Sequence, residues 1–458
     1  MYTFWRAWMR SLEGHRSRRP ALHCTQRCCR KSSMLRAFSV VRRHLMMNDR
    51  SLTPRLIAVW VLIALGTGCG DQTTQVVIHV DSPAGPGSAE PHLAGGHNET
   101  AVLSWLEPTN DGVALRYASF ADKAWTPPRT VTQGTDWFVN WADFPSVVPI
   151  SDSLWAAHWL AKRPGGTYAY DVAMALSLDG GETWGTPLSP HTDGTQTEHG
   201  FVSLFAWHDA VGALWLDGRN MTEDGHATNP GAGAGMTLRS AAISGNGDLA
   251  HEHLIDELVC DCCQTDIALT TNGPVAAYRN RTPEEIRDIY VTRFVDGDWQ
   301  PGSAVADDGW EISGCPVNGP AIVAQDNLVG IAWFTAAQGR SIVRFARSED
   351  AASTFSTALD IDAERAIGRV DIAMLDDGAM AVSWLRRGLE SQGEIVVRRV
   401  TSTGVLGPPK VIAKTVTSRP TGFPQMIRVG DDLLVAWTHI ADGESTVKTA
   451  RMSVAALR

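Results

Sequence analysis

Seven apolar runs in this chain each end in an aromatic residue, at Trp105, Trp159, Trp215, Tyr278, Trp333, Trp384 and Trp437. The intervals between them are 54, 56, 63, 55, 51 and 53 residues. Self-similarity at such a period restricts a chain to repeat architectures, because a unit of this size buries its apolar face only against its neighbours. Each run is short, rich in Val, Ile, Leu and Ala, and bounded by Gly, Asp and Pro, as buried strands are. One strand precedes each aromatic and two follow it. In the second repeat these are Pro145–Ile150, Leu154–Leu160, Tyr170–Leu178 and a strand opened by Trp184. Four antiparallel strands per repeat make the blade of a β-propeller.

The spacing therefore predicts an all-β propeller of seven blades, with six as the alternative count. The last repeat holds three strands, Gln425–Val429, Leu433–Trp437 and Thr446–Val454. Gln75–Val80 would supply the missing fourth, closing the ring and leaving no free sheet edge. After residue 69 no segment has a helical period, and Pro283–Arg287 is one turn at most.

The start of the chain reads differently. Leu56–Leu65 is a ten-residue apolar run behind Arg50 and Arg55, followed by Gly66-Thr67-Gly68-Cys69. Ten residues are too few to span a bilayer and suit the core of a signal peptide. The small residues before Cys69 resemble a bacterial lipobox, which implies lipidation of Cys69 and a protein anchored on the periplasmic side of the cell envelope. Residues 1–45 carry eleven Lys and Arg and read as sequence upstream of the true start at Met46 or Met47; 46–68 read as the signal peptide, and 69–458 as one propeller domain. Without residues 1–68, 13 of the 40 basic and 2 of the 50 acidic side chains go, leaving 27 against 48 and a net charge of −21. That balance argues against nucleic acid as a partner, which needs a basic footprint.

Ser177-Leu178-Asp179-Gly180-Gly181-Glu182-Thr183-Trp184 is a tight hairpin whose carboxylate can accept backbone N–H groups. Ser348, Asp350, Thr354 and Phe355 repeat it more loosely. This pattern resembles the Asp box (BNR repeat) of the sialidase superfamily of propellers. The resemblance implies that these turns lie away from the ligand face. It also implies, for catalytic members, an arginine triad, a tyrosine–glutamate pair and an aspartate acid. Residues 69–115 contain no arginine and no tyrosine follows Tyr290, so the chain departs from a typical sialidase.

In a propeller, ligands bind on the rim built by the loop after each second strand and the loop between blades. The first set carries Lys162 and Arg163, Asp217 and Arg219, Arg279 and Arg281, Arg386 and Arg387, and His439. Such cations suit an anionic small molecule or glycan, gripped bidentately by Arg219, Arg279, Arg281 and Arg386. The alternative is salt-bridged strand ends. The second set carries Asn140, Asp143, Glu198-His199-Gly200, Cys260-Asp261-Cys262-Cys263-Gln264 and Gly314-Cys315-Pro316-Val317-Asn318-Gly319. Glu198 and Asp217 are the expected acid and base if the site hydrolyses glycosides, and Asn318 an expected ligand contact. Gly231–Met236, with His226 upstream, is a solvated insertion or a lid.

Cys260, Cys262, Cys263 and Cys315 admit three pairings. Cys262–Cys315 with Cys260–Cys263 avoids vicinal and Cys-x-Cys rings. The competing reading keeps thiolates as ligands to Cu or Zn, with His199 completing the set. A third possibility is a rim that serves only as a scaffold for a protein partner.

Overall fold

The computed structural model describes residues 76–96, 99–221, 235–389 and 392–458. Cys69, the segments before it, Gln75, His226 and most of the Gly231–Met236 loop lie outside the described residues. Strands follow in sevenfold succession, each group forming its own antiparallel sheet. The chain is a seven-bladed propeller.

In the third blade His199–Trp207, Ala210–Asp217, Met236–Ile243 and Leu249–Val259 pair in order from the inside outwards. The first, fourth, fifth and sixth blades follow the same order, their outermost strands broken or short in the first and fourth. The second blade has three strands, and in the fourth place Leu188 alone bridges to Met174. The seventh is closed from the other end of the domain: Val77–Val80 pairs with Glu444–Ser453, Val77 opposite Met452 and Val80 opposite Thr449. The strand expected to complete the ring does so.

The aromatic ladder shows why the period is strict. Trp105 packs with Leu434, Ala436 and Val447 of the seventh blade; Trp215 with Ala156 and Met174 of the second; Trp333 with Val275 and Val291 of the fourth; Trp437 with Ala381 and Val397 of the sixth. Each apolar cluster thus joins one blade's aromatic to the blade before it, and the seam between last and first is built like the others. Five of these aromatics donate to a carboxylate: Trp105 to Glu107, Trp215 to Asp217, Tyr278 to Asp256, Trp333 to Asp308 and Trp384 to Asp362, at 2.7–3.0 Å. A buried indole or phenol otherwise leaves an unpaired donor.

The Ser177–Trp184 and Ser348–Phe355 turns are superimposable in their bonding. Asp179 Oδ1 accepts Thr183 N–H and Asp350 Oδ1 accepts Thr354 N–H, both at 2.9 Å, while each serine Oγ accepts the N–H four residues on at 2.9 Å. Both connect a third to a fourth strand. Antiparallel order puts them on the rim opposite the loops that follow the second strands.

Candidate functional site

That second rim holds a cavity of about 520 Å³, walled by loops of the interblade and second-to-third-strand sets alike. Glu198 forms one wall. It precedes the inner strand of the third blade, and Tyr170, on the second blade, donates its hydroxyl to Glu198 Oε1 at 2.6 Å and to Asp143 Oδ2 at 3.2 Å. Tyr170 is fully buried and stacks on Phe138 at 4.1 Å. The cluster is tight enough to require glycine beside it, since a Cβ on Gly200 would collide with Asp143 and the Tyr170 ring. Burial raises Glu198 to about 8, the neighbouring Asp143 adding to the rise, and burial raises Asp143 itself to about 7. That rise favours the protonated form of Glu198 at neutral pH.

The facing wall is ionic. Arg281 donates to both oxygens of Asp261, at 3.0 and 3.1 Å, and to Glu285 Oε1 at 2.6 Å. Arg287 grips Glu285 Oε2 at 2.7 Å. Burial pushes Glu285 up, but the hydrogen bonds of the two arginines outweigh it and hold its carboxyl below the ordinary value. Exposed Arg419, from the loop between the sixth and seventh blades, also lines the cavity, as do Tyr168 and Trp141. Two arginines against two carboxylates leave Arg419 in excess.

The cysteines sit at the cavity floor and edge. Cys260 and Cys263 form a disulfide with Cα atoms 5.8 Å apart. Cys262 and Cys315 do not form the expected second bridge; both are thiols. They are in contact, Cys262 S–H donating to Cys315, which lowers Cys315 to about 7 and raises Cys262. Both line the cavity.

Several residues singled out in the sequence lie elsewhere. His199 does not join the cysteines. Successive strand residues point to opposite faces, so Glu198 meets the cavity while His199 turns into the blade. There it stacks on His191 at 4.0 Å, with Nε2 3.3 Å from Asp193 and 3.7 Å from Asp217. Asp217 is fully buried, receiving Trp215 Nε1 at 2.9 Å and the Arg219 guanidinium at 2.7 and 2.8 Å. Arg219 also meets Glu252 at 3.0 Å. Neither lines the cavity.

Arg279 is spent on the fold. Its donors reach the carbonyls of Asn318 at 2.8 and 2.9 Å, Arg287 at 2.6 Å and Phe334 at 2.7 Å, and it lies over Trp310. It is 1% exposed, so no group remains to offer a ligand. Asn318 accepts Arg369 N–H at 2.7 Å and donates to Pro316 O at 3.1 Å, fixing the Cys315 loop. Arg386 pairs with Glu394 at 2.9 Å, apart from the cavity. The cavity's arginines are therefore Arg281, Arg287 and Arg419. Tyr170, Arg287 and Arg419 carried no signal in the repeat register: the first opens a strand, Arg287 comes late in its loop and Arg419 starts a 3-10 turn in the middle of its own.

No family model and no curated protein matches the sequence. Solved structures do match in shape. A protein of unknown function from Dyadobacter fermentans is 16% identical, with a TM-score of 0.45, over 82% of this chain and 97% of that one. The Trypanosoma rangeli sialidase with the inhibitor DANA is 9% identical, TM-score 0.46, over 76% of this chain and 58% of its own. The leech intramolecular trans-sialidase is 11% identical, TM-score 0.40, over 81% and 68%. Several of these neighbours are sialidases. At such identities and scores the likeness says nothing of ligand or activity in this chain.

The cavity can donate hydrogen bonds from Glu198 and present positive charge at Arg419. It holds Asp261 and Glu285 as anions already neutralised by arginine. An uncharged or cationic ligand would leave Arg419 unmatched.

Proposed function

We propose that the rim cavity binds a small anionic, saccharide-like molecule, in a protein held at the periplasmic face of a bacterial envelope through lipidated Cys69. The observation that carries the reading is Glu198: a carboxyl held by Tyr170 at 2.6 Å that opens into the same cavity as exposed Arg419. A protonated carboxyl donates to a hydroxyl or carboxylate oxygen, and a guanidinium fork matches a carboxylate, sulfate or phosphate. Tyr168 and Trp141 supply apolar faces for a sugar ring. Two carboxyl groups are needed for glycoside hydrolysis, one an acid and one ionised. Glu198 fits the acid, and Asp261, kept by Arg281, takes the place expected of Asp217.

The test is thermal unfolding with a panel of anionic sugars, sulfate and phosphate. A ligand at 100 times its Kd stabilises the folded state by about 2.7 kcal/mol. We expect a shift of that order with at least one anionic sugar, lost in Arg419→Ala. If no anion shifts unfolding, the reading fails.

A further inference from the structure

We infer that Cys262 and Cys315 form a two-sulfur site for a soft monovalent cation, Cu(I), at the edge of the rim cavity. The two side chains come from different interblade loops, the third-to-fourth and the fourth-to-fifth; both are free thiols, both line the same cavity, and they interact with each other. The loops are not free to part. Arg279 ties the Cys315 loop to the fourth blade through the Asn318 carbonyl, and Arg369 N–H holds the Asn318 side chain. On the other side the Cys260–Cys263 disulfide brackets Cys262. Gly319 also lies against the backbone of Gln264, where a Cβ would collide with the Gln264 carbonyl. Two free thiols are thus held on one cavity wall by a scaffold that uses neither.

The choice of ion follows from the remaining donors. Hard cations need oxygen or nitrogen ligands, and those nearby are committed: Asp261 and Glu285 to Arg281 and Arg287, Glu198 to Tyr170. His199 faces Asp193 and Asp217 instead. Among the described residues of the cavity wall the two thiols are the soft donors, and thiolates select soft ions. Arg281 and Arg287 on the same cavity wall favour the anionic product. The step balances as two thiols and one Cu(I) giving a bis-thiolate copper anion and two protons, with no change of oxidation state. Exposed Cys315 gives the ion its approach.

This site is independent of the saccharide reading, which fails or stands on Glu198 and Arg419. The experiment is anaerobic titration of the full chain with Cu(I) against a chromogenic Cu(I) chelator, with site-resolved alkylation read by mass spectrometry. Wild type should take one copper equivalent more than Cys262→Ser or Cys315→Ser. Copper should protect Cys262 and Cys315 from alkylation, and Glu198→Gln should bind as wild type does. Protection of both thiols in folded wild type, which needs no variant, keeps the test decisive should a serine variant unfold. Copper left on the chelator, unprotected thiols, or wild-type uptake by a folded Cys315→Ser would overturn the site. So would a Cys262–Cys315 disulfide in protein handled without oxidant, or a zinc ion held by all four cysteines.

Discussion

Asp266 accepts the backbone N–H of Ile322 at 2.7 Å, so a carboxyl on the inner strand of the fourth blade caps the inner strand of the fifth. Asp371 does the same for Met426 at 2.5 Å, from the sixth blade to the seventh, and Asp143 for Phe201 at 2.7 Å. The first two links lie around the central channel, where Asp266, Ile322, Asp371 and Met426 line one cavity, while Asp143 reaches Phe201 from the loop before the inner strand of the second blade. Burial raises Asp266 and Asp143 to about 7 and Asp371 to about 8. An unfolded aspartate titrates near ~3.9. Between those values the folded state binds more protons than the unfolded, so stability falls as pH rises. Calorimetry from pH 5 to 8.5 should show a falling unfolding temperature, and Asp371→Asn, which keeps the acceptor, should flatten the curve. A temperature that rises with pH over this range would contradict the assignment.

Trp333 fills the seam between fourth and fifth blades and gives its indole N–H to Asp308 at 2.8 Å. Trp333→Ala should cost about 3–5 kcal/mol, the range for a buried aromatic. The denaturant midpoint measures it. A change under about 1 kcal/mol, the scale of surface substitutions, would mean the seams are not the source of stability.

Arg279→Lys keeps the charge and removes the fork that reaches three carbonyls. Hydrogen bonds to charged groups contribute about 1.5–3 kcal/mol each, and a point charge replaces only part of that set. We expect a loss of stability of about 2–4 kcal/mol on that basis. Anion-induced thermal shifts should survive, because the group never meets the cavity.

Glu198→Gln retains an oxygen for Tyr170 and an N–H donor for the ligand, but no titration. With wild type, anion binding should weaken as pH rises through about 8, where Glu198 loses its proton. In Glu198→Gln that weakening should vanish in isothermal titration carried out from pH 6.5 to 9. Identical pH profiles would remove Glu198 from the site.

If Cys69 carries a lipid, Cys69→Ala should move the protein from the membrane to the soluble periplasmic fraction. Equal retention of both forms on fractionation would assign the attachment to something else.

The ring was legible because burial enforces it. A tryptophan that must bury against the preceding blade cannot drift in register, and so Trp105, Trp333 and Trp384 mark the period in the bare sequence. The rim loops were legible as a set, since strand ends locate them. Side-chain direction was not. Glu198 and His199 are adjacent in sequence and face opposite ways. Arg279 and Arg281 sit two apart, yet one bonds carbonyls in the core and the other carboxylates at the cavity. Tyr170 went unseen because its partner Glu198 comes 28 residues later, on another blade. The free pair Cys262 and Cys315 defeated the expectation of a second bridge, while Cys260–Cys263 met it.

Val77–Val80 pairs with Glu444–Ser453, so the blade that closes the ring takes its outermost strand from the opposite end of the described propeller. The six blades before it can stack in order, each on its predecessor. The burial of Trp105 against Leu434 and Ala436 needs the seventh. Closure is therefore the strand pairing of greatest sequence separation among the described residues, the slowest kind of contact for a chain to find. Deleting Val77–Val80 alone would leave Glu444–Ser453 as an open sheet edge.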